Sequence, residues 1–430
     1  MDSKTPDNDR DGILVLGFLS LVAGAATGLV GACFRICLDR ADQARGALLF
    51  WAADFGWAGY AIVVVACAAA AAIAAWLVRR FSPHAAGSGI PHVEAILSEK
   101  LPPAPLMLIP IKFIGGVLAI GAGLALGREG PSVQIGATLA DWCGKLFRRE
   151  WRDCRVLMAA GAGAGLATAF NAPIAGAIFV LEELVRRFET RIAIAALGAS
   201  ATAMAVARLL LGDAPEFQVA ALPYPDTKVR VLFFAFGILA GILGVVYNQA
   251  ILAAIRGFES LNRWPVELRA GLVGGAVGVL ACFAPRVVGG GESLTQLTLS
   301  GTFAVPLLIA ILAIRFVLGP ISYAARTPGG LFAPMLAVGA QFGLLFGIGC
   351  QHFFTDLNMP AQAFAVVGMA AFFTAVVRAP ITGITLIIEM TGSFTMLLPM
   401  LAACFMAMLV PTFFGNRPIY ESLQEKPGDR

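Results

Sequence analysis

Glu129 is a carboxylate set among helix breakers, in Gly127-Arg128-Glu129-Gly130-Pro131, directly after the charge-free run 113–127. Glycine tolerates unusual dihedrals, and proline in a first helical turn has no N–H to leave unsatisfied. Two other segments share the pattern: Gly87-Ser88-Gly89-Ile90-Pro91 and Gly330-Leu331-Phe332-Ala333-Pro334. Each predicts a buried helix N-terminus, whose free N–H groups carry about half a positive charge and bind anions. Three such ends meeting at one point would hold a small anion with no lysine or arginine beside it, weakly enough to let it go again. Any one of them alone is a plain helix break. Three in one chain, two at matched places in a repeat, point to a site.

A carboxylate at such an end is drawn to the N–H groups that would hold the anion, so Glu129 reads as a tethered competitor. Protonation would remove its charge and its claim; desolvation favours that step and the helix end opposes it. The competing reading is an Arg128–Glu129 ion pair holding the loop, although neighbours at a helix start seldom face each other. Glu182 and Glu183 end another apolar run, and a carboxylate in a membrane segment costs ~2.5–3.5 kcal/mol on insertion scales. Glu182 has a repeat counterpart in Glu389 and reads as a structural cap, whereas Met390 stands where Glu183 would recur. That asymmetry makes Glu183 the candidate for a proton relay, against an ion pair with Arg186, Arg187 or Arg191. Lys112 would supply long-range positive potential or snorkel to the surface. Tyr420, just after the last apolar run, taken alone is an interface tyrosine. His84, His92 and His352 have no ligand spacing and read as solvent-side or incidental.

These residues need a scaffold, and the composition says which. Of 430 residues, 58% are apolar and 13% charged, against about 25% charged in soluble domains. Mean hydropathy is +0.81. Charge-free runs cover 12–34, 55–78, 156–181, 231–255, 293–314, 327–355, 357–377 and 390–416. About 20 residues cross a bilayer, so this is a polytopic membrane protein. Of the shorter runs 113–127, 192–207, 270–285 and 379–388, several predict helices too short to cross alone, and irregular backbone survives in lipid only where protein or a water-filled cavity covers it. The 48 glycines fall largely in small-residue series that let helices approach closely. A net charge of +4 leaves no footprint for nucleic acid. The eight cysteines lie scattered through apolar stretches as reduced thiols, and no metal or cofactor motif is present. The acidic start, with Asp2, Asp7, Asp9 and Asp11, is not that of a signal peptide.

Residues 161–182 realign on 368–389 at a constant offset of 207, placing Gly161 on Gly368, Pro173 on Pro380 and Glu182 on Glu389. A tandem duplication follows: a polar segment 1–11, halves 12–210 and 228–420, a linker 211–227 and a short tail 421–430. Duplicated halves with broken helices mark secondary transporters, with the substrate at the repeat interface. Basic residues do not alternate cleanly enough along the chain to orient it.

Taken together, the three breaker motifs and the repeated Asn171-Ala-Pro and Arg378-Ala-Pro segments resemble the CLC chloride channel and transporter family over about 12–423, most closely its bacterial chloride/proton exchangers. The resemblance implies an all-helical membrane fold of two inverted repeats with broken, tilted helices, and a homodimer with one pathway per subunit. It implies that the Ser88 and Tyr420 hydroxyls and the Leu331 and Phe332 amides hold a central chloride. An inner site would use backbone at Gly87 and Ser88, and an outer site backbone at Arg128, Glu129 and Gly130. Glu129 matches the external gate and Glu183 the internal proton-transfer residue. Serine at 88 matches chloride-selective members; the fluoride-exporting branch departs at Gly-Arg-Glu-Gly-Pro and lacks the inner glutamate. The expected protein is therefore not an enzyme but a chloride/proton antiporter of a bacterial inner membrane. A passive channel on the same scaffold is the first alternative. An intramembrane enzyme using Glu129 and His92 lacks a nucleophile or metal set, and a sodium-coupled organic-acid carrier lacks grouped carboxylates.

Overall fold

The computed structural model describes residues 6–354 and 359–424, and its elements there are helices, with two isolated backbone bridges. The chain opens with α1 (Pro6–Asp54), α2 (Gly56–Phe81), the short α3 (Ile90–Leu97), α4 (Leu108–Gly121) and α5 (Glu129–Leu146). Next come α6 (Trp151–Phe170), α7 (Pro173–Phe179) prolonged by a π turn over Val180–Leu184, and α8 (Thr190–Leu211). Beyond the linker lie α9 (Thr227–Ser260), α10 (Val266–Phe283), α11 (Glu292–Ser300), α12 (Val305–Ala324) and α13 (Phe332–Phe353). α14 (Ala361–Val377), α15 (Pro380–Thr391), α16 (Leu397–Phe413) and α17 (Ile419–Gln424) complete it. The polar residues 6–11 extend α1, while 1–5 and 425–430 lie outside the described residues.

Among the described residues, eight helices are long and apolar enough to cross a membrane, α8 and α10 included. The short charge-free runs 192–207 and 270–285 therefore belong to helices of spanning length. In α8 both bounding charges lie inside the helix, Arg191 held by Asp153 and Arg208 by Asn171, while α10 takes in Arg269, which donates to the Phe258 carbonyl, and Glu267, which Arg79 of α2 reaches. The apolar window of α13 is 72% buried and that of each other span is 39% or less. The core thus gathers around α13, with α5, α6 and α14 almost wholly buried beside it. Large apolar side chains on the outer helices, such as Phe18, Trp57 and Phe405, stay exposed, as lipid-facing residues do.

Repeat-matched positions adopt the same local structure. Asn171 and Arg378, 207 apart, both end a helix in the left-handed conformation (φ +54° and +75°), and each is followed by Ala-Pro starting the next helix. A Cβ on Gly161 would overlap the Gly136 carbonyl, and one on Gly368 the Gly339 carbonyl, so the glycine-on-glycine crossing of α5 with α6 recurs between α13 and α14. Glu182 accepts from the Ile381 and Thr382 N–H groups at 2.9 and 2.6 Å. Glu389 accepts from Ile174 and Ala175 at 3.1 and 2.7 Å. Each carboxylate closes the C-terminal end of its own segment and caps the other repeat's helix, so α7 and α15 run antiparallel. The structural role read for Glu182 is what the geometry shows. Glu182→Ala or Glu389→Ala should each cost ~1.5–3 kcal/mol, the scale of hydrogen bonds to a charged group. Thermal unfolding in detergent would register this as a lowered transition; an unchanged transition would show the caps to be dispensable.

Candidate functional site

The three breakers meet. Gly127 and Gly330 exchange backbone hydrogen bonds at 2.8 and 2.7 Å, while Gly87 N–H donates to the Thr327 carbonyl at 3.1 Å and accepts at its own carbonyl from Gly329 at 3.0 Å. α3, α5 and α13 therefore begin side by side. Gly87 and Gly89 have φ of +61° and +84°, as the turn reading requires. Gly127 and Gly330 are glycine for another reason: a Cβ on either would overlap the Glu129 carboxylate.

Glu129 is fully buried, and its Oε1 accepts from the Phe332 N–H at 2.6 Å. The amide expected to hold a central anion thus holds the carboxylate. Its Oε2 has no hydrogen-bond partner. Ser88 and Tyr420 are equally buried, and neither hydroxyl has a hydrogen-bond partner. Burying such groups unpaired is costly unless something polar is meant to meet them. Leu331 is buried at the same helix start, and a Cβ on Gly130 would overlap Ser88, so the two loops are in contact there.

Neighbours that the sequence did not single out set these positions. The Phe332 ring lies 6.3 Å from Phe170, 5.9 Å from Phe179, 4.6 Å from Phe373 and 5.9 Å from Tyr420, so its side chain is packed against aromatic rings of four other elements. Tyr323 OH accepts from the Ser88 N–H at 3.4 Å. That amide and the Gly87 amide are thus both bonded within the chain. Arg128 does not pair with Glu129. It bonds the Ala169 carbonyl at 2.7 Å and Glu216, which Arg35 also holds at 2.8 Å. Lys112 does not snorkel: it is fully buried and donates to the Gly87 carbonyl at 2.7 Å and to that of Ala85 at 3.1 Å.

Glu183 lies in the π turn, 2% exposed, with Oε1 unpartnered and 3.8 Å from Arg186. π turns inside helices are frequent at functional positions. Arg186 also meets Glu94 at 3.1 Å and Glu421 at 3.7 Å. The ion-pair alternative is thus present in a loose form, one guanidinium shared by three carboxylates that run from buried Glu183 to half-exposed Glu421. Glu94 and Glu421 were not foreseen, because nothing in their local sequence marks them.

The sequence model for voltage-gated chloride channels matches residues 70–412. The chain is 36% identical to the H(+)/Cl(-) exchange transporter ClcA of Salmonella schwarzengrund over 416 residues, 95% of this chain and 88% of that one. ClcA of Salmonella typhimurium matches to the same extent. A crystal structure of a slow cyanobacterial Cl-/H+ antiporter superposes with a TM-score of 0.91 at 30% identity, covering 96% of this chain and 99% of that one. A CLC-type fluoride/proton antiporter shares the fold with a TM-score of 0.76 at 22% identity, over 95% and 97% of the two chains. With its multi-pass helical fold and these matches along nearly its whole length, the chain belongs to the CLC family of voltage-gated chloride channels and transporters, membrane proteins that move ions and are not enzymes.

Proposed function

We propose that this protein exchanges chloride for protons, and that Glu129 and the halide take turns on the Phe332 amide between the Ser88 and Tyr420 hydroxyls. The single observation that carries this is the Glu129 carboxylate seated on the Phe332 N–H in a pocket whose two hydroxyls lack partners. No lysine or arginine bonds that carboxylate among the described residues, since Arg128 and Lys112 are turned to other partners. An anion there is held by peptide dipoles and hydroxyls, and dipolar sites bind without trapping. The exchangers among its relatives, at 36% and 30% identity, support the coupled reading.

Chloride passes when Glu129 is protonated or displaced, and Glu183 delivers the proton from the face where Arg149, Arg155, Arg186 and Arg191 collect. Arginine-rich ends favour the cytoplasmic side. Leu331 contributes a second amide to the anion, and Gly87, Arg128 and Gly130 supply backbone to flanking positions once their loops relax. The halves 12–210 and 228–420 are inverted repeats, in keeping with antiparallel α7 and α15, and the working unit is a homodimer with one pathway per chain.

The direct test is the purified protein in lipid vesicles under a chloride gradient. Proton movement against a pH gradient, driven by chloride, is the expected outcome. Chloride flux with no coupled protons would make it a passive channel, and no chloride flux would retire the proposal.

A further inference from the structure

His84 and His92 lie eight positions apart in sequence, yet their rings stack with centroids 4.5 Å apart and planes 25° from parallel. Gln134 of α5 joins them. Its Nε2 donates to the His84 carbonyl at 2.9 Å and lies 3.1 Å from His92 Nδ1. A carbonyl can only accept, which fixes the orientation of this amide, so its second N–H needs an unprotonated Nδ1 on His92. The same amide packs on the loop of the candidate anion site: a Cβ on Gly89, the residue after Ser88, would overlap Gln134 Oε1 and Cδ. Gln134 Oε1 is buried without a partner.

We propose that His92, with His84 and Gln134, forms a proton-sensitive latch that holds the Gly87-Ser88-Gly89 loop, making these three residues positioning residues for the Ser88 hydroxyl. The inference rests on the reading of Ser88 as an anion ligand. With His92 neutral, one amide ties both histidines and braces Gly89. With His92 protonated, Nδ1–H confronts the amide NH2, donor against donor. Gln134 must then turn, giving up the His84 carbonyl and its seat on Gly89. A second cation beside His84 and Lys112 adds repulsion.

The neighbours of His92 are defined. His84 and Lys112 act on it, and Gln134, which faces it from α5, is neutral. The other charged groups around α3 have partners of their own. Glu94, Glu183 and Glu421 gather on Arg186, and Arg155 bonds the Leu97 carbonyl at the far end of the helix. Burial, then His84, then Lys112 push the imidazole of His92 down to about 4. His92 lies on short α3, outside the eight long spans. An imidazole free of the latch titrates near ~6.5. The latch is therefore at full strength above that value, weakens as the pH falls through the interval, and is lost below about 4. Release frees the Ser88 loop and leaves positive charge beside it, and both raise chloride flux.

Glu129→Ala protein in vesicles removes the titrating carboxylate at the site and isolates this effect. Its chloride flux should rise about threefold between about pH 7 and about pH 5. Adding His92→Gln, whose side-chain oxygen can still accept from Gln134, should leave flux flat at the slow level. Adding His92→Lys should leave it flat at the fast level even at neutral pH. A merely structural histidine would not give opposite plateaus. A pH rise that survives His92→Gln, or slow flux in His92→Lys, would overturn the latch. If the Glu129→Ala parent moved no chloride, the exchanger reading would fall, and hydrogen exchange of residues 86–91 would then decide the latch. Corrected for intrinsic rates, that exchange should speed up on acidification in the wild-type chain and not in His92→Gln; equal behaviour in both would overturn it.

Discussion

Glu129→Ala protein reconstituted in vesicles is expected to carry chloride and to move no protons with it. The substitution removes the one group proposed both to block the anion and to carry a proton. It also frees the Phe332 N–H, now bonded to the carboxylate at 2.6 Å, for the halide. A hydrogen bond to a charged group contributes ~1.5–3 kcal/mol, so chloride should bind about 10- to 100-fold more tightly once its competitor is gone. Calorimetric titration with chloride measures the second effect, and a chloride-driven pH change in vesicles the first. Retention of full coupling would remove Glu129 from the mechanism. Unchanged chloride affinity would mean that carboxylate and halide do not share the amide.

Glu183→Gln is the second large effect. Glutamine keeps the shape and polarity of the side chain but carries no titratable proton. Proton flux should fall by at least ~100-fold, the scale of losing a positioned proton-transfer group, while chloride flux stays within about twofold of wild type, because Glu183 pairs with Arg186 and its side chain makes no hydrogen bond to Ser88, Phe332 or Tyr420 among the described residues. The geometry gives the reason to expect separation. Glu183 looks toward Arg186, Glu94 and Glu421, and that cluster leads out to a half-exposed carboxylate. Loss of chloride flux alongside proton flux would instead assign Glu183 to the packing of the π turn, a role its 3.8 Å contact with Arg186 would then explain.

Much of this protein could be read residue by residue. The membrane class follows from composition, since a chain with 13% charge cannot cover a core of this size with a solvated surface. The helix starts at residues 90, 129 and 332 follow from glycine and proline, whose effects are local and survive any packing. The offset of 207 exposed the Glu182–Glu389 correspondence before any contact was known, because duplication leaves its mark in the order of residues. Helix length was read less well. Counting charge-free residues undervalued α8 and α10, whose terminal charges are satisfied by partners on other helices.

What the tertiary structure decided is pairing at a distance. Arg128 turned from its neighbour Glu129 to Glu216, 88 positions away in the linker. Lys112 found the carbonyls of the Ser88 loop, and four aromatic rings from separate elements packed around the Phe332 side chain. His84 and His92, which had no ligand spacing, became a stacked pair through Gln134. The division has a physical cause. Backbone preference is a property of a few adjacent residues, so sequence determines where helices break and where their N–H groups are left free. A buried charge or hydroxyl is settled by whichever distant group relieves its desolvation, and only the folded packing of the helices selects that group.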